Sequence, residues 1–155
     1  FLSSIRIEDL IEEIINSFKE TSSKQINLFI EEDKNKINIQ RTPEIIYGLR
    51  NFIGNAVKFS KSKVQINLKS NDNIIEIEIN DDGPGIPEDI INKVGEPYIK
   101  SKSKELSPNS GLGLGTFLGK TLLERQGANL KFKRNGKLGG ALIILSWRPD
   151  AFTFV

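Results

Sequence analysis

The chain has 155 residues, of which 37% are hydrophobic and 27% charged, and its formal net charge is +2. This length and composition predict one globular domain, residues 1–155, with a full-sized core. No apolar run approaches the ~18 residues that span a membrane, and nothing resembles a signal peptide. The basic residues alternate with acidic ones instead of forming the concentrated basic face that nucleic-acid binding needs. We therefore expect no membrane-embedded segment and no nucleic-acid partner.

Two residue types are missing, which narrows the possible chemistry. The chain contains no cysteine and no histidine. It therefore has no disulfide, no thiolate or imidazole metal ligand, no histidine general base and no phosphohistidine acceptor of its own. Because the chain begins at Phe1 instead of methionine, we interpret it as a segment of a longer protein.

The residue pattern in the first part of the chain predicts a helix, two strands and a second helix. Apolar residues recur at helical spacing in "IEDLIEEIINSF". "INLFIEE" and "KINIQ" are typical of strands, and the charged turn "EDKNK" joins them. Thr42 followed by Pro43 is typical of an N-cap and a first helical residue, so we expect a helix from there to about Phe59.

The second part of the chain predicts two β-hairpins separated by helical segments. "KVQINLKS" and "IIEIEIND" alternate apolar and polar residues around the turn "NDN", and "NLKFKRN" and "ALIILSW" flank a glycine-rich turn. Between the hairpins we expect a short helix "EDIINKV", a polar loop over residues 95–110, and a helix "TFLGKTLLERQ" that stops at Gly127. Hairpins with helices on one face make an α+β two-layer sandwich.

Three polar side chains share one face of the helix that begins near Thr42. Asn51, Asn55 and Lys58 follow each other at i, i+4 and i+7. They form either a solvated helix face or a binding face. The apolar residues elsewhere on this helix leave little room for solvent, and a half-buried asparagine needs partners. An amide oxygen can ligate Mg²⁺, and a lysine can meet a phosphate.

"NDDGPGIP" follows directly on a predicted strand, and by itself it is typical of a simple turn. The alternative is a base-recognition site. A carboxylate at Asp81 can accept a hydrogen bond from an exocyclic amine such as N6 of adenine, whereas guanine presents an acceptor there and is repelled. Gly83 and Gly85 would let the backbone approach a flat base. This interpretation predicts selection of ATP over GTP.

"GLGLG", residues 111–115, opens the last predicted helix. Its GxGxG spacing and the polar loop before it differ from a dinucleotide fingerprint, which reads GxGxxG after a strand. Backbone N–H groups of such a loop, with the following helix N-terminus, can cradle phosphates. The glycines can equally serve as hinges for the loop.

The order and spacing of these three motifs resemble the histidine-kinase catalytic and ATP-binding domain, which has the GHKL (Bergerat) nucleotide fold. The motifs match its N, G1 and G2 boxes, and "GEPYIKSKS" resembles a modified F box. This resemblance implies a mixed sheet of about five strands, about three main helices on one face and a flexible ATP lid. The chain departs from the family pattern at Gly95, where an F-box phenylalanine is usual, and at Ala141, where many relatives have threonine.

The resemblance implies a role for each motif residue. Asn55 is the implied Mg²⁺ ligand, Asn51 and Lys58 face the phosphates, and Asp81 binds adenine. The implied nucleotide-binding residues are Asn51, Asn55, Lys58, Asp81, Gly83, Gly85, Ile86, Tyr98, Lys100, Gly111, Leu112, Gly113, Leu114 and Gly115. ATP-hydrolysing members of the superfamily carry a glutamate base where Asn51 stands, so the resemblance implies no general base and poor hydrolysis.

The resemblance also implies the reaction and its partners. With ATP and Mg²⁺ the domain would donate the γ-phosphoryl group to a histidine on a separate dimerisation domain, for relay to a response-regulator aspartate. "GEPY" with "GLGLGTFLGKTLLERQGA" is similar to the RegB/PrrB-type redox-responsive sensor kinases. That similarity implies a cytoplasmic domain of a homodimer held in the cell membrane.

Two other functions are compatible with the same fold. An anti-sigma-type serine kinase would need no upstream histidine-bearing hairpin, but such kinases often carry the glutamate that is absent at position 51. A non-enzymatic pseudokinase module would use the fold for protein contacts alone. Intact Asn55, Asp81 and glycine motifs argue against a module that has lost nucleotide chemistry.

Overall fold

The computed structural model describes residues 3–31, 37–89, 91–96 and 114–152. The helices are α1 (Ile7–Lys19), α2 (Pro43–Phe59) and α3 (Leu114–Arg125). The strands are β1 (Ser4–Arg6), β2 (Gln25–Glu31), β3 (Asn38–Gln40), β4 (Lys63–Ser70), β5 (Ile75–Asp81), β6 (Asn129–Lys133) and β7 (Leu142–Trp147). Short 3₁₀ turns lie at Ile91–Lys93 and Pro149–Phe152.

Five strands form one mixed sheet in the order β2-β4-β5-β7-β6. β2 runs parallel to β4, while β4–β5, β5–β7 and β6–β7 are antiparallel. Both predicted hairpins are therefore confirmed. The parallel pair arises because α2 lies between β2 and β4 along the chain and carries the chain back to the starting end of the sheet.

The strands predicted on either side of the charged turn do not pair with each other. β2 joins the main sheet, whereas β3 pairs with β1 in a separate two-stranded sheet, with Ile5 opposite Ile39. Ile39 is buried there, on a strand of only three residues. β1 was not predicted, because three residues are too short to show an alternating pattern. The predicted turn, residues 32–36, lies outside the described residues.

Helix boundaries follow the predicted signals with one exception. The Thr42 hydroxyl accepts a hydrogen bond from the Ile45 N–H at 3.2 Å, which confirms the N-cap of α2. α3 ends at Arg125, shortly before Gly127 with φ +91. The predicted helix "EDIINKV" is wrong, since the described part of this segment holds only a 3₁₀ turn. So short a segment has no helical stability of its own.

The core lies between the three helices and one face of the sheet. It is rich in isoleucine from α1 and α2 and from the inward-facing positions of β4 and β5. On β5 the buried Ile75, Ile77 and Ile79 alternate with the half-buried Glu76 and Glu78. The opposite face of β5 therefore carries acidic side chains, and the α+β two-layer sandwich, with the helices on one face of the sheet, is confirmed. Among the described residues, no helix has the length and apolar character needed to cross a membrane.

Candidate functional site

A pocket opens beside the end of β5, between α2 and the β6–β7 hairpin. Asn55 and Asp81 are the polar side chains among its lining residues, and the rest of the wall is apolar or glycine. The lining residues are Phe52, Asn55, Ala56, Phe59, Asp81, Pro84, Gly85, Ile86, Val94, Phe132, Ala141 and Ile143.

The Asp81 carboxyl is held rigidly at the wall of this pocket. The side chain is only 5% exposed. Oδ1 accepts hydrogen bonds from the N–H groups of Gly83 at 2.9 Å and Ala141 at 3.3 Å. Burial raises the pKa of Asp81, and these two bonds oppose that rise. No donor among the described residues reaches Oδ2, so this oxygen can accept a hydrogen bond from a ligand.

The backbone around Asp81 is packed so tightly that glycine is needed at its neighbours. A Cβ on Gly83 would collide with the carbonyl oxygen of Phe59 at the end of α2, so Gly83 faces that helix and does not line the pocket. Gly85 lines the pocket and has φ +81, a conformation that L side chains rarely adopt. Ile86 follows, and its N–H donates to the Arg134 carbonyl at 3.3 Å.

Asp82 has a structural environment unlike that of Asp81. Its Oδ1 accepts hydrogen bonds from the N–H groups of Lys61, Ser62 and Lys63 at 2.8–3.1 Å, and its Oδ2 accepts one from the Ser62 hydroxyl. Burial alone would raise the pKa of Asp82, but the bonds from Ser62, Lys63 and Lys61 lower it to about 2. Asp82 therefore ties the α2–β4 connection to the end of β5.

The predicted polar face of α2 continues from the mouth of the pocket. Asn55 Nδ2 donates to the hydroxyl of Thr116 at 3.2 Å and to Oδ1 of Asn51 at 3.5 Å. Lys58 is exposed, and its Nζ lies 5.8 Å from the centre of the Phe59 ring. Thr116, which is fully buried in the first turn of α3, was not among the predicted site residues. Its position directly after "GLGLG" was the available signal.

The start of α3 packs against the same polar face. A Cβ on Gly115 would lie 3.1 Å from Asn51 Nδ2, and one on Gly119 would lie 3.2 Å from Asn51 Oδ1. Glycine at these two positions thus leaves room for the Asn51 side chain. Leu114 is the first residue of α3. The remaining predicted site residues, Tyr98, Lys100, Gly111, Leu112 and Gly113, lie outside the described residues.

The residues at the pocket mouth fit a magnesium ion that is bound together with phosphates. Mg²⁺ in proteins keeps several waters and takes one or two protein ligands plus substrate oxygens. The described residues contain no group of three or more histidine, cysteine or acidic side chains that could hold a metal. An amide oxygen such as that of Asn55 is a ligand of the hard type that Mg²⁺ takes, and Asn55 lies between the pocket and the rest of the polar face.

Comparison with known protein families places this fold and pocket in one of them. The chain belongs to the histidine kinase-, DNA gyrase B- and HSP90-like ATPases, whose family model matches residues 40–150. The resemblance inferred from the three motifs is thereby confirmed.

Two curated proteins that are similar to this chain in sequence are sensor kinases. The sensor histidine kinase RegB of Cereibacter sphaeroides is 45% identical over 105 residues, a match that covers 64% of this chain and 23% of RegB. The signal transduction histidine-protein kinase AfsQ2 of Streptomyces coelicolor is 44% identical over 71 residues, which are 45% of this chain and 13% of AfsQ2. The matches therefore span less than a quarter of the length of these curated relatives.

Solved structures share the whole fold. The mycobacterial sensor histidine kinase MprB superposes with a TM-score of 0.76 at 20% identity, covering 94% of this chain and 97% of that chain. The ATP binding domain of PrrB from Mycobacterium tuberculosis gives a TM-score of 0.69 at 23% identity, covering 95% and 96%. At these identities the likeness shows the fold alone.

Proposed function

We propose that this chain is the catalytic, ATP-binding domain of a sensor histidine kinase. It binds Mg·ATP and donates the γ-phosphoryl group to a histidine on a separate dimerisation domain, for relay to a response-regulator aspartate. The observation that carries the proposal is the junction of two features at α2. The buried carboxylate of Asp81 lines an apolar pocket, and only one of its oxygens accepts hydrogen bonds from the described residues. Beside it lies α2, whose polar face carries Asn51, Asn55 and Lys58.

The pocket accounts for recognition of the base. The N6 amine of adenine donates to Asp81 Oδ2, while the ring packs against apolar walls that include Ile86 and Phe132. Guanine would place a carbonyl oxygen against the carboxylate, and two acceptors in a dry pocket repel each other. Because the backbone holds Asp81 through two hydrogen bonds, the carboxylate cannot turn away to relieve that repulsion.

The polar face of α2 accounts for the phosphates. Asn55 ligates Mg²⁺, which neutralises charge on the phosphate oxygens when it is bound, and the Lys58 ammonium faces the same oxygens. In this proposal Tyr98, Lys100 and residues 111–115 complete the phosphate contacts. Phosphoryl transfer depends chiefly on positioning and charge.

The nucleophile comes from outside the chain. Asn51 cannot take a proton from water at neutral pH, so ATP hydrolysis is slow and the γ-phosphoryl group is kept for an imidazole. The chain itself has no histidine. We infer a parent that is a membrane-bound homodimer with this domain on the cytoplasmic side, where a response regulator receives the phosphoryl group. The match to a protein named a sensor histidine kinase supports the kinase part of this inference.

Calorimetric titration with ATP and with GTP, each with and without Mg²⁺, tests the nucleotide site. We expect Mg²⁺-dependent binding of ATP, weak or no binding of GTP, and loss of ATP binding in Asp81→Asn. Asp72→Asn is the matched control, because Asp72 lies in the β4–β5 turn at the opposite end of the hairpin. No binding at millimolar ATP, or equal binding of GTP, would refute the proposal.

A second experiment tests the reaction. The chain is mixed with the histidine-bearing hairpin domain of a RegB-type kinase and γ-labelled ATP. We expect label on the hairpin with the acid lability and alkali stability of phosphohistidine. Label on serine would instead support a serine kinase, and ATP binding without transfer to any acceptor would support a non-catalytic module.

A further inference from the structure

The last turn of α2 is capped by a side chain from another part of the chain. Lys24 lies in the α1–β2 connection, and its Nζ donates to the carbonyl oxygens of Val57 at 2.6 Å, Ser60 at 2.7 Å and Lys58 at 3.4 Å. The final carbonyls of a helix have no partner within the helix, and a cation there also complements the helix dipole. Lys24 therefore closes the C-terminal end of α2.

This turn contains two residues of the nucleotide site. Lys58 belongs to the polar face of α2, and Phe59 lines the base pocket. Two of the carbonyls that Lys24 binds, those of Val57 and Ser60, lie on either side of this pair. The direction in which Lys58 and Phe59 project thus depends on how the turn is held.

The same turn is also in contact with the strand end that carries Asp81. Gly83 packs so closely on the Phe59 carbonyl that no Cβ fits between them. On the other side, Asp82 binds the three N–H groups of residues 61–63. Lys24 at the carbonyls and Asp82 at the N–H groups together clamp the α2–β4 connection against the Asp81–Gly83 segment.

We propose that Lys24 is a positioning residue for the nucleotide site, which holds the turn bearing Lys58 and Phe59 against the strand end bearing Asp81. It acts through the backbone of α2. The proposal rests on the nucleotide-binding function proposed above and adds to it a residue that none of the three sequence motifs contains.

The charge of Lys24 supplies a second link to the same site. Burial raises the pKa of Asp81, the N–H bonds of Gly83 and Ala141 lower it, the neighbouring Asp82 carboxylate raises it, and the positive charge of Lys24 lowers it. Lys24 thus favours the ionised carboxylate that accepts the adenine amine. Removal of the Lys24 charge should therefore raise the pKa of Asp81.

Three substitutions separate the contributions of charge and hydrogen bonding. Lys24→Arg keeps charge and donors, Lys24→Gln keeps donors without charge, and Lys24→Met removes both. Lys61→Met is the matched control, since Lys61 is an exposed lysine of the same connection whose side chain is not part of the cap. If Lys24→Met fails to fold, Lys24→Gln still tests the loss of the positive charge.

Two readouts are measured on each variant. In the nucleotide-free chain, NMR titration of the Asp81 carboxyl should show a higher pKa in Lys24→Gln and Lys24→Met, and no change in Lys24→Arg or Lys61→Met. For Mg·ATP, calorimetry should show a Kd about tenfold higher in Lys24→Met, a smaller rise in Lys24→Gln, and near wild-type affinity in Lys24→Arg and Lys61→Met.

The outcomes distinguish this inference from the proposed function. If the wild-type chain binds ATP while Lys24→Met binds equally well and Asp81 titrates unchanged, the inference is overturned and the function stands. Equal effects of Lys61→Met and Lys24→Met would also overturn it, because net charge alone would explain them. If the wild-type chain does not bind ATP, the proposed function fails, and with no nucleotide site to position the inference falls too. An altered Asp81 titration in Lys24→Met would then report only charge coupling.

Discussion

At the scale of single residues, the surroundings of Asp81 disfavour a negative charge, but they hold the carboxyl in a fixed position from which it can accept a hydrogen bond from a ligand. Its carboxyl lies in an apolar pocket, and burial raises its pKa, although the backbone N–H groups of Gly83 and Ala141 satisfy one oxygen. Asp82, the next residue, is half-buried, and hydrogen bonds from residues 61–63 of the α2–β4 connection lower its pKa to about 2. Two consecutive aspartates thus serve different purposes.

We predict that Asp81→Asn makes the nucleotide-free chain more stable at neutral pH. A raised pKa means that the folded chain binds this proton more tightly than the unfolded chain does. The stabilising contribution of the protonated carboxyl is fully present below the unfolded pKa of about 3.9, and it is lost as pH rises through the higher folded pKa. An asparagine stays neutral, and its oxygen can still accept both N–H bonds.

Urea unfolding followed by the fluorescence of Trp147 measures this effect. Trp147 is the single tryptophan of the chain and is buried in the core. The gain in the free energy of unfolding of Asp81→Asn should be present at pH 7. It should disappear below about pH 3.9, where residue 81 is neutral in both the wild-type chain and the variant. A less stable Asp81→Asn at pH 7 would show that the ionised carboxylate contributes more through its hydrogen bonds than it costs in desolvation.

At the scale of elements, the contact between α2 and α3 determines where Asn55 and Thr116 meet. α3 approaches α2 closely because glycines line the contact. A Cβ on Gly48 would lie less than 3.0 Å from three carbon atoms of the fully buried Leu123 side chain. Gly115 and Gly119 leave similar room for Asn51. The spacing between these helices therefore controls the site directly.

We predict that Gly48→Ala destabilises the chain by about 1–3 kcal/mol, as overpacking of a core does, even though alanine favours helix by about 1 kcal/mol. Leu123 has no exposed surface into which it can retreat. Urea unfolding of Gly48→Ala, Leu123→Val and the double variant measures the coupling between the two side chains.

The double variant should be more stable than the sum of the two single effects implies. The smaller side chain in Leu123→Val leaves space for the methyl group that Gly48→Ala adds, so the two losses of stability partly cancel. Strictly additive effects would mean that Gly48 and Leu123 are not in contact.

At the scale of the whole molecule, the site joins segments that are far apart in sequence. Asn55, Asp81 and Ala141 meet at one pocket through the sheet order and the position of α2 above it. Ligand binding to such a site is possible only in the folded state. A nucleotide should therefore stabilise the complete domain against unfolding.

We predict that Mg·ATP at about 100 times its Kd stabilises the chain by about 2.7 kcal/mol. For a domain of this size that corresponds to a rise in Tm of roughly 5–11 °C, at about 2–4 °C per kcal/mol. Thermal unfolding monitored at Trp147 measures it. GTP should leave the Tm unchanged, and Asp81→Asn should remove the response to ATP. A shift of equal size with GTP would contradict base recognition by Asp81.

Most elements were predictable because their signals are local. The cap at Thr42 and Pro43, the alternation in β4 and β5, and the glycine after α3 each act within a few residues of the place they determine. The motif spacing also placed the functional residues in a known family. The segment "EDIINKV" was predicted wrongly because its conformation depends on tertiary packing. Val94 at its end and Ile86 just before it form a small apolar cluster with Phe59 and Phe132.

What the sequence by itself determined is most of the elements, the family and the identity of the polar residues, because those depend on local backbone preferences and on motif order. Only the tertiary structure decided which strands pair and which groups meet. It placed β3 with β1 instead of β2, gave Asp81 and Asp82 opposite environments, and brought Thr116 to Asn55 and Lys24 to the end of α2. These contacts join residues far apart in the chain, so their energies arise only when the sheet and helices have closed the core.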